Sequence, residues 1–271
     1  MKIYQVDAFS SQVFAGNAAA VIILDDWLND EVMQKIAMEN NLSETSFSKK
    51  IDDNNYEIRW FSPVKEVQFC GYGTLATSFI IFKENPQLTR IIFKVKGLGN
   101  FYIRKGHDDR IIMDLPIQPP TLVETIPEDL KNSLNQDFSA VSVYANDQAY
   151  IVVYPDPESV LAEQPNFQLI KNLGGKRVAI TALNNFKNDD FNHIDIISRY
   201  FTPSMGIDED PVTGSLHTSL IPLWQPMIDK KVIAAYQASK RGGILYCELL
   251  ENNRIEITGH CKLYLEGKIY I

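Results

Sequence analysis

RWFSP (residues 59–63) returns as RYFTP (residues 199–203) about 140 residues later, and the fold is read outward from that repetition. GTLATS (73–78) follows the first copy and GSLHTS (214–219) the second, and the two Pro-to-Gly separations differ by one residue. Further on, residues 91–114, with Gly97 and Gly99 and then DDRIIMD, are echoed by residues 233–258, with Gly242 and Gly243 and then NNRIEIT. Upstream, AAAVIIL, a helix and TSFSK are echoed more faintly by AYIVVY, a helix near 167–172 and RVAIT. A whole half is therefore written twice.

Each half carries one helix with almost no polar face. In the first it spans 74–82, with Leu75, Ala76, Phe79, Ile80 and Phe82 at helical spacing behind Gly71 and Gly73. Such a helix has to be enclosed. Around it lie short β-type runs at 2–9, 18–24, 56–61, 90–95 and 110–115, a hairpin at Gly97/Gly99, and a helix over 31–39 capped by Asn29 or Asp30. The expected architecture is α+β, with two pseudo-symmetric halves, each a β-barrel-like, mostly antiparallel sheet wrapped around its central helix. Pro116, Pro119, Pro120 and Pro127 and the polar helix PEDLKNSLNQ interrupt the strand pattern, so the boundary is placed at 118, giving halves 1–118 and 119–271. Duplicated folds commonly place a site in the cleft between halves, and that is the expectation here.

The 271 residues are 45% hydrophobic and 22% charged, enough for a large core, and the net charge of −8 with no basic run gives no footprint for nucleic acid. The start, MKIYQVDAFSSQVF, lacks the apolar core of a signal peptide, and no apolar run is long enough for a bilayer. A soluble, cytoplasmic protein with no membrane or nucleic-acid partner is expected. Cys70, Cys247 and Cys261 are odd in number and lack CxxC spacing, which fits a reducing compartment.

Both central helices begin in small-residue turns, CGYGT (70–74) and DEDPVTGS (208–215). Backbone N–H groups at such starts attract anions, so Gly71, Tyr72, Gly73 and Thr74 in one half and Asp210, Thr213, Gly214 and Ser215 in the other are candidate contacts for a substrate carboxylate. Thr74 and Ser215 would add hydroxyl donors. Either motif alone reads as a tight turn; their symmetric pairing makes them candidates. Glu44, in NNLSETSF, lies where the chain re-enters the sheet, and its counterpart in the second half is a cation, Lys176, so it is not a repeated structural position. A carboxyl partly buried in a cleft has its pKa raised toward neutrality, as a general acid/base requires. Asp210 is a second candidate carboxylate or a helix cap. His217, which matches Ala76, is either a proton-handling partner or a packed helix residue. The four histidines show no metal-ligand spacing, and there is no P-loop or GxSxG elbow; in the GLGNF run position 102 is Tyr, which breaks a dinucleotide fingerprint. No metal and no cofactor are expected.

VDAFSSQVFAGNAAAVI, NNLSETSF, RWFSPVKEVQFCGYGTLA and GIDEDPVTGSLH together resemble, in order, the signature segments of the PhzF family of phenazine-biosynthesis-type isomerases. The resemblance implies the diaminopimelate epimerase-like fold, Glu44 as catalytic acid/base, and Gly71, Asp210, Gly214 and Ser215 lining the substrate pocket. It also implies a homodimer and cofactor-independent proton transfer on a small cyclic amino acid, dihydro-hydroxyanthranilate. One departure bears on the substrate: Tyr72 stands where the family has His, and a phenol of unperturbed pKa about 10 does not share a proton near neutrality. Two rival readings remain. A two-thiol epimerase would use Cys70, but the repeat places Pro211 opposite it; a binding protein would keep the cleft and lose the chemistry.

Overall fold

The computed structural model describes residues 1–186 and 191–271. Contacts group these into two units, 1–115 with 254–271, and 116–253. The sequence reading assigned all of 119–271 to the second half. Residues 254–271 instead join the first, because their two strands pair with strands of that unit.

The first unit is built from β1 (Lys2–Ala8), β2 (Asn17–Leu24), α1 (Asp30–Asn40), β3 (Glu44–Lys50), β4 (Asn55–Phe61), β5 (Glu66–Val67), α2 (Gly71–Glu84), β6 (Arg90–Val95), β7 (Gly99–Lys105) and β8 (Ile111–Pro116). The last two strands of the chain complete it, β16 (Arg254–Gly259) and β17 (Cys261–Lys268). β17, β1 and β2 run antiparallel in sequence across the sheet, β2 and β3 parallel, β3 and β4 antiparallel, β4 and β6 parallel, β6, β7 and β8 antiparallel, and β16 lies on β8. These strands enclose α2, which packs on β1, β2, β3 and β17. On the other face of β2–β4, Ile22, Leu24, Phe47 and Phe61 meet Met33, Ile36 and Ala37 of α1. Burial on both faces is why NAAAVIIL reads as a continuous apolar run rather than an alternating one.

The second unit repeats the plan with β9 (Thr121–Leu122), α3 (Glu128–Ser133), β10 (Ser142–Ala145), β11 (Ala149–Val153), α4 (Pro157–Ala162), α5 (Phe167–Lys171), β12 (Arg177–Leu183), β13 (Ile196–Phe201), α6 (Gly214–Trp224), β14 (Val232–Gln237) and β15 (Gly243–Leu250). Its parallel pairs, β11–β12 and β13–β14, stand where β2–β3 and β4–β6 stand in the first. Three short helices, α3 to α5, cover the face that α1 covers alone, over Val152, Val178, Ile180, Ile197 and Phe201. α6 packs on β15, and its Trp224 indole donates to the Thr181 hydroxyl of β12 at 3.1 Å.

The repeated RWF and RYF segments acquire a physical reason. Arg59 reaches Glu66 through Nε and Nη2, both at 2.7 Å, and Arg199 reaches Glu209 at 2.8 and 3.0 Å. Each guanidinium also lies over the phenylalanine two residues on, Phe61 at 5.1 Å and Phe201 at 5.0 Å. A bidentate pair stacked on an aromatic ring fixes the loop entering each central helix.

α2 begins at Gly71, three residues before the expected start, so Gly71 and Gly73 are first-turn residues rather than a preceding turn. Cys70 is the cap: its Sγ accepts from Gly73 N at 3.2 Å, and its carbonyl accepts from Thr74 N at 3.0 Å. Packing of the buried first turn overrides the low helix propensity of glycine. No helix of the described residues is long and apolar enough to cross a membrane.

Candidate functional site

In the first unit, Glu44 is the first residue of β3, reached through Asn41, whose left-handed backbone (φ 48°) ends α1. Side chains alternate along a strand, so Glu44 shares a face with Ser46, about 7 Å away, while Phe47 turns to α1. Ser46 Oγ lies against Gly73, so Glu44 occupies the side of β3 that faces α2. The residue is half-buried, and its Oε2 is fully enclosed.

Around the start of α2 several polar groups are buried. Ser46 pairs in register with Trp60 of β4, and a Cβ on Gly73 would meet Ser46 Oγ at 2.5 Å and Trp60 Cδ1 at 3.0 Å. Ser46 Oγ and Trp60 Nε1 have no hydrogen-bond partner, nor does the Tyr72 hydroxyl, although Tyr72 is only 5% exposed. Buried polar atoms without partners are rare, and each invites a functional explanation. Thr74 differs from its expected role, because its hydroxyl donates to Cys70 O at 2.7 Å and that proton is already committed. Thr77 and Ser78 are satisfied in the same way on the carbonyls of Gly73 and Thr74.

In the second unit, Thr213 caps α6 by position but not by hydrogen bond, because its hydroxyl donates to the Asp210 carboxylate. The Thr213 side chain makes no bond to the first turn, and the start of α6, at Gly214 and the partly exposed Ser215, carries the positive end of the helix dipole, which favours an anion. The cap position of α6 is Thr213, so the buried Asp210 is a polar group of the preceding turn. His217 is wholly buried, with Nδ1 at 2.8 Å from Thr213 O. A carbonyl only accepts, so Nδ1 carries the proton; burial pushes the imidazole pKa down to about 4 and leaves Nε2 as an unpartnered lone pair. His217 is thus a neutral, packed helix residue near pH 7.

In the first unit the structure sets Gly73 against the face of β3 that carries Ser46 and Glu44, and in the second it ties Thr213 to Asp210 at the start of α6, where Gly214 and Ser215 follow. Sequence reasoning missed Ser46, Trp60 and Gln237, and also Asp7 and Asn17, which are buried at the facing ends of β1 and β2, with Phe14 N donating to Asp7 at 2.9 Å. For Asn17 and Gln237 the available signal was one polar residue at the end of an otherwise apolar run, NAAAVIIL and VIAAYQ; Ser46 in ETSFSKK, Trp60 in NYEIRWF and Asp7 in KIYQVDA carried no such signal. Among the described residues no three His, Cys, Asp or Glu cluster as a metal site.

The profile of the PhzC-PhzF family, described as phenazine biosynthesis-like protein, matches residues 6–267. A Pseudomonas aeruginosa protein named as an uncharacterized isomerase is 39% identical over 269 residues, covering 99% of this chain and 98% of its own. A human phenazine biosynthesis-like domain-containing protein is 32% identical over 285 residues, covering 99% of each. Among solved structures, an Enterococcus faecalis phenazine biosynthesis protein of the PhzF family superposes with a TM-score of 0.90 at 36% identity, covering 100% of this chain and 99% of that one. A probable proline racemase from Agrobacterium radiobacter, at 7% identity and a TM-score of 0.63 over 100% of this chain and 93% of that one, shares the fold alone.

Proposed function

The chain belongs to the PhzC-PhzF family of phenazine biosynthesis-like proteins, and on that footing we propose that it is a cofactor-independent isomerase moving a carbon-bound proton on a small, carboxylate-bearing substrate. The substrate class is that of a cyclic amino acid. One observation carries the reading: the carboxylate of Glu44 stands on the α2-facing side of β3 with one oxygen enclosed.

A glutamate held there removes a proton from one substrate carbon and returns it to another, and the charge that develops in between needs nearby donors. The Tyr72 hydroxyl, buried and without a protein partner, is suited to donate to such charge. A phenol, whose ordinary pKa is about 10, donates a hydrogen bond where an imidazole would also exchange protons, so Tyr72 orients and stabilises. In the second unit, the first-turn N–H groups of Gly214 and Ser215 are the binding element for a carboxylate, beside Asp210 for a polar or cationic substituent. A homodimer belongs to the same proposal, and light scattering on the purified protein tests it.

A two-thiol epimerase finds less support. Cys70 is a helix cap in contact with Gly73 N, and Cys247, inside β15, has a thiol that burial keeps protonated.

The test is incubation in D2O with a panel of small cyclic and acyclic amino acids, including dihydro-hydroxyanthranilate, followed by mass spectrometry. The expected result is deuterium at a carbon of one compound with the wild type, lowered about 10²–10⁴-fold in Glu44→Gln. Equal exchange by both proteins removes Glu44 from the role, and binding of a panel compound without exchange by the wild type favours a non-catalytic ligand-binding protein.

A further inference from the structure

We propose that Gln237 is a positioning residue that sets the Asp210 carboxylate through Thr213; the inference rests on the reading of Asp210 and Thr213 as substrate-site residues. Gln237 ends β14 and is completely buried. Its Oε1 accepts from Thr213 N at 2.8 Å, and its Nε2 donates to Asp210 O at 2.7 Å and to Thr213 Oγ1 at 3.2 Å. The backbone partners leave no freedom in the amide: the atom facing an N–H is the oxygen, and the atom facing a carbonyl is the nitrogen.

The consequence lies in the Thr213 hydroxyl, which has one proton. Gln237 Nε2 already fills a lone pair on Oγ1, so the hydroxyl proton is directed to Asp210 Oδ2, where the structure places it. A donor that is itself receiving a hydrogen bond is polarised and donates more strongly. His217 Nδ1 holds the Thr213 carbonyl from the other side, so the N, O and Oγ1 atoms of Thr213 are all engaged. Asp210 is thereby fixed from its backbone by Gln237 and from its carboxylate by Thr213.

The internal repeat separates this network from what the fold needs. Aligning GYGTLATS with VTGSLHTS, and β6 with β14 through their parallel partners, places Phe69 opposite Asp210, Tyr72 opposite Thr213, Ala76 opposite His217 and Val95 opposite Gln237. The first unit builds the same helix start with apolar or aromatic residues at all four positions, and Phe69 packs edge-on against Trp60 at 5.9 Å and Phe101 at 5.2 Å. A buried polar network is thus not required by the architecture; it is present in the copy that carries Asp210.

The experiment is carbon-13 NMR titration of the Asp210 carboxyl, with the Thr213 amide resonance, in the wild type and in Gln237→Met, which keeps the side-chain volume. Gln237→Asn, one methylene short, is the second variant should the first not fold. In a folded variant the Asp210 titration moves to higher pH, because its carboxylate loses a polarised donor, and the Thr213 amide resonance shifts. A folded variant in which both signals stay at their wild-type positions overturns the proposal, whatever its activity. In the deuterium-exchange assay, Gln237→Met and Asp210→Asn are expected each to lower the rate by about tenfold. If Asp210→Asn leaves exchange untouched while Gln237→Met still moves the Asp210 titration, the assignment of Asp210 to the substrate site fails and the control of Asp210 by Gln237 stands.

Discussion

Ser46 Oγ stands 2.5 Å from the place a Cβ on Gly73 would occupy, so the hydroxyl of β3 and the first turn of α2 meet with no room for a methyl group. Glu44 shares that face of β3, and the same close approach that makes Gly73 necessary brings the helix start to the glutamate.

Gly73→Ala should therefore lower stability by about 1–3 kcal/mol through overpacking, despite the roughly 1 kcal/mol that alanine gains over glycine in a helix. Urea denaturation measures this, and Ser46→Gly in the same chain should restore part of the loss. An additive double mutant would mean that the clash lies elsewhere.

Tyr72→Phe removes a buried hydroxyl that has no protein partner. Stability is expected to stay level or rise by up to about 1 kcal/mol, because no hydrogen bond is lost. Deuterium exchange should fall in the same variant. A stability loss above about 2 kcal/mol would instead reveal a structural partner for the phenol.

His217 makes stability depend on pH. Its folded pKa, about 4, lies below its unfolded value of 6.5, so between these values the unfolded chain binds more protons. Stability from this group is full above pH 6.5 and is lost as pH falls toward 4, by on the order of 3 kcal/mol. His217→Gln, followed by denaturation beside the wild type across pH 4–7, should lack that slope; parallel curves for the two proteins would place the imidazole in water.

Arg199→Met should destabilise more than Arg59→Met. Arg199 holds Glu209 and also donates to Glu163 O at 2.7 Å, with its side chain 14% exposed against 24% for Arg59. Losses of about 3 kcal/mol and 1–2 kcal/mol are expected from thermal unfolding. Arg59 also pairs with the exposed Asp30 carboxylate at 2.7 Å, so equal losses would show that the Glu163 carbonyl contact is worth no more than that exposed pair.

What the sequence determined by itself was periodic or local. The doubled RWFSP/RYFTP pattern, the apolar helices behind GTLATS and GSLHTS, and the strand runs follow from side-chain spacing, which depends only on neighbours along the chain. The signature segments likewise led to the family that the comparisons support. The tertiary structure decided what depends on residues far apart. Strand pairing returned residues 254–271 to the first unit, since β17 completes itself on β1, a partner more than 250 positions away. Close packing moved the start of α2 back to Gly71, because a cap and an enclosed first turn outweigh glycine's propensity. Ser46 and Trp60 stayed hidden in the sequence because strand pairing and the approach of α2, not spacing, set them beside Gly73, and Gln237 because a polar residue in an apolar strand looks alike whether it is satisfied or left waiting for a ligand. Only the positions of its neighbours tell the two apart.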